Sequence, residues 1–257
     1  MIHSTDVMVG FHAVQSLLKT APNRAKTLLI VDNRNDQRLQ KTISLAERAN
    51  IPVNTISTEE MDKYADNARH QGVALLASKG KVYDEGWMIS YLNNLDYPPL
   101  VLVLDGLTDP HNLGACLRSA DGAGVDAVIV PRDKSCGLTP IVRKVASGAA
   151  ETIPFVLVTN LSRTLQKLKD AGLWIVGAAG ESDQVISEMD FTGPTAVVLG
   201  SEDRGLRHLT RERCDFLARI PMRGSVQSLN VSVATGIVLF EAVRQRMPTA
   251  TKRLQTV

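Results

Sequence analysis

Between Leu100 and Ala178 short apolar runs alternate with segments of helical periodicity, and this alternation limits the possible folds more than any other feature of the chain. The runs Leu100–Leu104, Ala127–Val130, Ile153–Val158 and Trp174–Ala178 predict strands. The intervening stretches Leu113–Ala123, Pro140–Ala146 and Leu161–Ala171 predict helices. Strands joined by helical crossovers lie parallel, and a parallel sheet needs cover on both faces, so its strands read as nearly continuous apolar runs. Two further strands, Ala196–Leu199 and Phe216–Ile220, and a final helix from Val231 to Arg246 extend the pattern. The class is α/β with a mostly parallel sheet, and handedness rules on their own predict an ordinary doubly wound arrangement.

A smaller α/β pattern precedes it. After Gly10, Ala13, Val14, Leu17 and Leu18 share one helical face; strands are predicted at Thr27–Val31, Ile51–Ile56 and Val73–Ala77, and helices at Asp36–Ala49 and Glu59–Tyr64. This sets out a domain over residues 1–78. A linker over 79–98, rich in charge, Gly and Pro, with Trp87 and Met88 read as packing part of it as a short helix, leads to a larger domain over 99–248 and a polar, flexible tail over 249–257.

Composition narrows the chemistry. With 257 residues, 44% of them apolar, the chain can bury a substantial core. No apolar run reaches the roughly 20 residues that span a bilayer, and the first residues lack the basic start and apolar centre of a signal peptide; a cytoplasmic protein without membrane contact is expected. Three cysteines, Cys116, Cys136 and Cys214, without C-x-x-C spacing suggest buried reduced thiols and no metal site. A net charge of +2 announces no nucleic-acid partner by itself, but basic residues gather at Arg132, Lys134, Arg143 and Lys144 and again at Arg204, Arg207, Arg211 and Arg213. They are read either as phosphate contacts or as solvated helix faces. Aromatic content of 4% argues against base-stacking platforms.

Three predicted strands empty into polar, Gly-containing loops. Leu100–Leu104 leads to Asp105-Gly-Leu-Thr-Asp-Pro-His-Asn-Leu-Gly and a helix bearing Arg118; Ala196–Leu199 leads to Gly200-Ser-Glu-Asp-Arg-Gly-Leu; Ile220-Pro-Met opens a loop that runs through Ser228 and Leu229 to Asn230. Such junctions expose backbone groups at strand ends and helix starts, where ligands bind. They can converge on one crevice. A dinucleotide site is not indicated, because neither G-x-G-x-x-G nor a Walker A run occurs, and Gly122-Ala-Gly124 sits at a helix end.

The segments Asn112-Leu-Gly-Ala-Cys-Leu-Arg118, Leu199-Gly-Ser-Glu-Asp-Arg-Gly-Leu206 and Ile220-Pro-Met to Ser228-Leu-Asn-Val-Ser232 resemble, in order and spacing, the three motifs of the SpoU branch of the SPOUT methyltransferases. Val9-Gly-Phe-His-Ala-Val and His70-Gln-Gly-Val-Ala resemble the small substrate-binding domain of the 23S ribosomal RNA guanosine-2′-O-methyltransferases within that branch. The resemblance implies a C-terminal trefoil knot that periodicity could not reveal. It also implies S-adenosyl-L-methionine as cofactor and a ribose 2′-oxygen of RNA as acceptor, without a metal. The cofactor contacts fall on Gly200, Ile220 and Leu229, with the missing side chain of Gly200 allowing close approach. The catalytic set falls on Arg118, Asn112, Glu202, Ser228 and Asn230.

Asn112 reads as a helix N-cap as well, and Ser228 and Asn230 as caps of the last helix. Glu202 could accept a hydrogen bond from Arg118 or Asn230. A guanidinium with a pKa above about 12 is a poor base, so Arg118 is read as stabilising the attacking oxygen or an adjacent phosphate. Family members dimerise through the knotted region, which implies a homodimer with Val233, Ile237 and Phe240 of the last helix at its interface. A tRNA ribose methyltransferase and a non-catalytic ribosome-assembly factor of the same fold remain as alternatives.

Overall fold

The computed structural model describes residues 5–32, 36–65, 69–78, 80 and 82–247; the segment expected as a flexible tail lies outside them. The chain forms two compact units that do not follow sequence order. The first takes the chain up to Val82 together with Thr108–Asp121 and Cys136–Phe155, and the second takes Tyr83–Leu107, Gly122–Ser135 and everything from Val156.

In the first unit, strands β1 (Thr5–Val9), β2 (Ala25–Val31), β3 (Val53–Ile56) and β4 (Val73–Ser78) form a sheet in the order β1-β4-β2-β3. Only β2 and β3 pair in parallel. Alternation along the strands sorts side chains between the two faces. Leu28 and Leu75 face α1 (Phe11–Thr20) and α2 (Gln37–Arg48), packing with Phe11, Val14, Leu17 and Leu39. Their neighbours Leu29 and Ala74 point the other way, onto Met61 and Ala65 of α3 (Thr58–Ala65). Asp36 starts α2 by accepting from the amides of Arg38 and Leu39.

Three helices from the middle of the chain join this unit: α5 (Pro110–Gly122, through Asp121), α6 (Pro140–Val145) and α7 (Ala149–Thr152). The strand expected from Ile153 therefore starts only at Phe155, because Ala149-Ala-Glu-Thr152 makes one more helical turn before Pro154.

The second unit holds a six-stranded sheet ordered β10-β8-β9-β5-β6-β7, with β5 (Leu100–Asp105), β6 (Ala127–Pro131), β7 (Phe155–Val158), β8 (Trp174–Ala178), β9 (Thr195–Gly200) and β10 (Phe216–Ala218). The pairs β10–β8, β8–β9, β9–β5 and β5–β6 are all parallel. Every residue of β5 is buried, as a strand covered on both faces requires. On one face Val101, Val103, Ala196, Val198 and Ile175 pack under Leu161, Leu165 and Leu168 of α8 (Leu161–Asp170) and under Met88 and Leu92 of α4 (Glu85–Asn93). The stretch 85–93, within the expected linker, is thus a helix seated in the core. α9 (His208–Arg213) precedes the edge strand β10, and α10 (Val231–Arg246) packs on β9 with Thr235, Val238, Leu239 and Ala242 buried.

Candidate active site

The carboxyl ends of β8, β9 and β10 lie side by side, and parallel sheets present ligand sites at that edge. In the second unit a cleft opens there. It is lined by Ala178, Ala179 and Gly180 beyond β8, by Leu199–Glu202 and Gly205 beyond β9, and by Ala218–Ile220, Met222 and Gln227–Leu229 beyond β10. Val231 and Ala234 of α10 close one side. From Ile220 to Leu229 the chain is neither helix nor strand, so its backbone groups are available to read a ligand edge. The many Ala and Gly linings leave room: a side chain added at Gly180 or Gly205 would meet nothing within 4 Å.

Gly200, Ile220 and Leu229, the three residues expected to hold a cofactor, come together in this cleft. Ile220 and Leu229 are half-exposed on its wall and do not belong to the core. The reason for Gly200 differs from the expected one. A Cβ there would fall 2.0 Å from the carbonyl carbon of Gly205 and 2.3 Å from the amide nitrogen of Leu206. The space is taken by protein backbone. The loop after β9 folds back on itself, with the Gly205 amide donating to the Ser201 carbonyl at 2.8 Å and Gly205 at φ +63°, where a side chain is strained.

Glu202 rides on that loop. Its Oε1 accepts from the Asn230 side-chain amide and, at 3.2 Å, from the Val231 backbone amide. Asn230 is the N-cap of α10, its Oδ1 accepting from the Ser232 amide at 2.9 Å. A carboxylate beside the first turn of a 16-residue helix is favoured by the helix dipole as well as by these two bonds. Ser228, expected as a possible cap, is exposed two residues upstream and does not cap the helix.

Arg118 and Asn112 stand on α5 in the first unit. Leu113, Gly114, Cys116, Leu117 and Ala120 form the buried face of α5; Arg118 is exposed and has no ion-pair partner among the described residues. Asn112 is not the N-cap. The helix begins two residues earlier, at Pro110, whose fixed φ suits the first helical position, and Asp109 accepts from the His111 amide at 2.9 Å.

The basic residues singled out in the sequence divide. Arg143 is buried and bonded to carboxylates, Arg207 pairs with the buried Asp105, and Arg211 pairs with Glu181, while Arg132, Lys134, Lys144 and Arg204 are exposed. The Asp105 pair escaped sequence reading. Asp105 ends the wholly buried β5 and also accepts from the Arg207 amide at 3.0 Å, which ties down the far side of the loop carrying Glu202. A lone carboxylate closing an apolar run was the available signal. The strand end Ala178–Gly180 was missed too, although Gly177-Ala-Ala-Gly180 marks it as a place without bulk.

Cys116 is buried, whereas Cys136 and Cys214 are only half-buried. Burial, with Asp215 adding to it, pushes the Cys214 thiol up to about 12, and burial also raises that of Cys136. Neither supplies a thiolate nucleophile near neutrality. No group of His, Cys, Asp and Glu among the described residues could hold a metal ion.

Residues 99–240, which carry all three loops and the cleft, match the SpoU rRNA Methylase family, and residues 7–82 match the RNA 2′-O ribose methyltransferase substrate binding family. The chain belongs to the SpoU rRNA methylase family. Among its relatives is the 23S rRNA (guanosine-2′-O-)-methyltransferase RlmB of Pseudomonas putida, 55% identical over 237 residues, which are 92% of this chain and 95% of that protein. The protein of that name in Escherichia coli K12 is 50% identical over 94% of this chain and 99% of its own. The fold is shared by the SpoU methyltransferase AviRb of Streptomyces viridochromogenes in complex with AdoMet, at a TM-score of 0.77 and 23% identity, covering 95% of this chain and 91% of that one. Among the described residues of this SpoU protein no helix is long and apolar enough to cross a membrane.

Proposed function

We propose that this protein transfers a methyl group from S-adenosyl-L-methionine to a ribose 2′-oxygen of guanosine in 23S ribosomal RNA. The observation that carries the reading is identity of 50–55% over more than nine tenths of the chain to proteins of that activity, extending through both the substrate-binding and the methylase segments. The cleft supports it: Gly200, Ile220 and Leu229 offer backbone groups and an apolar wall, and Gly180 and Gly205 leave space for the cofactor. When bound, that cofactor supplies an electrophilic methyl group on a sulfonium centre. Arg118 acts on the substrate, holding the 2′-oxygen as negative charge develops. Asn112 orients the same nucleotide. Glu202 and Asn230 fix the loops, and Ser228, exposed on the cleft wall, bonds the substrate phosphate.

Residues 1–78 capture the RNA, with residues 79–98 joining them to a catalytic domain over 99–248 that carries the family's trefoil knot. The active species is a homodimer in the cytoplasm. Val233, Ile237 and Phe240 recur at helical spacing along α10 and are 50%, 39% and 51% exposed, an apolar stripe suited to an isologous contact.

The test is to map 2′-O-methyl groups in ribosomal RNA by resistance to alkaline hydrolysis, with and without the protein. One guanosine of 23S RNA is expected to gain protection. Methylation of tRNA alone would replace the substrate, and no labelled methyl transfer to any RNA would leave a non-catalytic RNA-binding protein.

A further inference from the structure

Four charged side chains close a ring in the interior of the first unit. Arg143 of α6 bonds Glu151 of α7 and, at 3.1 Å, Asp6 of β1; Arg24, just before β2, bonds the same Glu151 and lies 3.5 Å from the same Asp6. The Arg143 and Glu151 side chains are only 6% and 2% exposed. Arg24 also donates to the Ser78 carbonyl at 3.0 Å, and Asp6 accepts from the Gly80 amide at 2.9 Å. The Arg143 Nε is buried with no hydrogen-bond partner among the described residues. Removing such charges from water is expensive, and a well-packed apolar set of similar volume commonly does as well or better for stability. A ring of this kind is therefore poorly explained by stability alone. What it adds is direction, because forked guanidinium bonds fix angles as well as distances.

The ring joins segments far apart in sequence. Arg24 belongs to the substrate-binding match and Arg143 and Glu151 to the methylase match. Two close backbone approaches reinforce the connection. A Cβ on Gly148, at the start of α7, would lie 2.3 Å from the Ser16 Oγ of α1; a Cβ on Gly114 of α5 would lie 2.6 Å from the Val145 Cβ of α6. A continuous set of rigid contacts thus runs from β1, α1 and Arg24, through α6 and α7, to the helix that bears Arg118.

We propose that Arg24, Arg143, Glu151 and Asp6 are positioning residues for methyl transfer, locking the RNA-capturing segment to the Arg118 helix so that bound RNA meets Arg118 in one orientation. This rests on the RNA-methylating reading above. Small losses of orientation far from the chemistry can cost about 100-fold in rate, so the device belongs to kcat and not to affinity.

The deciding variant replaces the inner pair by apolar residues, Arg143→Met with Glu151→Leu, which leaves Arg24 facing Asp6 and keeps charge in balance. Thermal stability should match wild type, and affinity for RNA and for S-adenosyl-L-methionine should stay within about twofold. Single-turnover methylation at saturating 23S RNA should fall about 10-fold or more. Full rate in this variant overturns the proposal, as does a loss of rate explained by lost RNA or cofactor binding. If the pair replacement does not fold, Arg143→Lys decides: it keeps the charge but loses the planar fork, so single-turnover rate should fall at unchanged affinity for RNA and for S-adenosyl-L-methionine, and an unmoved rate overturns the proposal on that arm. Wild-type protein assayed alongside separates the two levels: if it transfers no methyl group to RNA, the functional reading has failed and not the positioning role.

Discussion

The two units are held together by different physics. In the second, buried strands such as β5 and β9 stack apolar side chains against α4 and α8, and polar groups gather at the strand ends that line the cleft. The first has an apolar core around its own sheet, but α6 and α7, gained from the middle of the chain, are fastened by a ring of four charges whose inner pair, Arg143 and Glu151, is buried. The hydrophobic driving force is non-directional, whereas guanidinium–carboxylate bonds fix angles. The difference teaches where precision is concentrated: the cleft rests on a stiff platform, while α6, against which Gly114 of the Arg118 helix packs, is held by bonds that specify an angle.

The comparison breaks most visibly in the core of the second unit. Leu102→Ala removes a wholly buried side chain from the central strand and is expected to cost about 2–5 kcal/mol, measured by denaturant unfolding. A loss below about 1 kcal/mol would mean that the platform yields and is not stiff. Arg118→Ala should next reduce single-turnover methyl transfer by about 100-fold or more while calorimetric affinity for S-adenosyl-L-methionine changes little. Near-normal transfer would remove Arg118 from catalysis, and equal losses would move it into the cofactor site. Arg118→Lys keeps the charge but loses the planar fork, so it should restore little.

Asn230→Ala removes the N-cap of α10 and one bond to Glu202, with an expected cost of about 1 kcal/mol and weaker cofactor binding. Unchanged stability together with unchanged binding would show that the Glu202 contact contributes nothing. The smallest effect is at the surface of the second unit. Tyr97 donates to Asp126 at 2.7 Å, and this bond, with burial and the Asp126 charge adding to it, raises the phenol to about 12. Because the folded value is raised, the contribution is intact below about pH 10, where the unfolded phenol titrates, and is lost as pH rises through about 12. Tyr97→Phe should lower stability at neutral pH by under about 1 kcal/mol and flatten the alkaline decline in that window; an unaltered pH profile would exclude the bond as its source.

Much of the fold could be read from local signals. α10 has the bounds expected from the sequence because Asn230 caps it, and β8 likewise runs from Trp174 to Ala178 as expected. β1 went unread because Thr5-Asp-Val-Met-Val9 is short and takes its place only by pairing with β4. α9 went unread because His208-Leu-Thr-Arg-Glu-Arg213 has no apolar period. Strand order has no local signature at all: β9 lies between β5 and β8 only because distant segments meet. At the cleft, the loop residues were visible as motifs, whereas the Asp105–Arg207 tie and the press of Gly205 on Gly200 depend on atoms brought together by folding. Arg143 shows the limit best, since a basic residue in a basic run reads as a surface contact until Asp6 and Glu151 arrive from elsewhere.

The bond from the Val231 amide to Glu202 has a use for the experimenter. Its donor belongs to the first turn of α10 and its acceptor to the loop beside the cleft, so the proton on that one nitrogen is shielded only while the loop holds its place. Deuterium uptake at Val231 therefore acts as a clock for loop opening. Timed with and without cofactor in solution, it reports the movement of the cleft without any label attached to it.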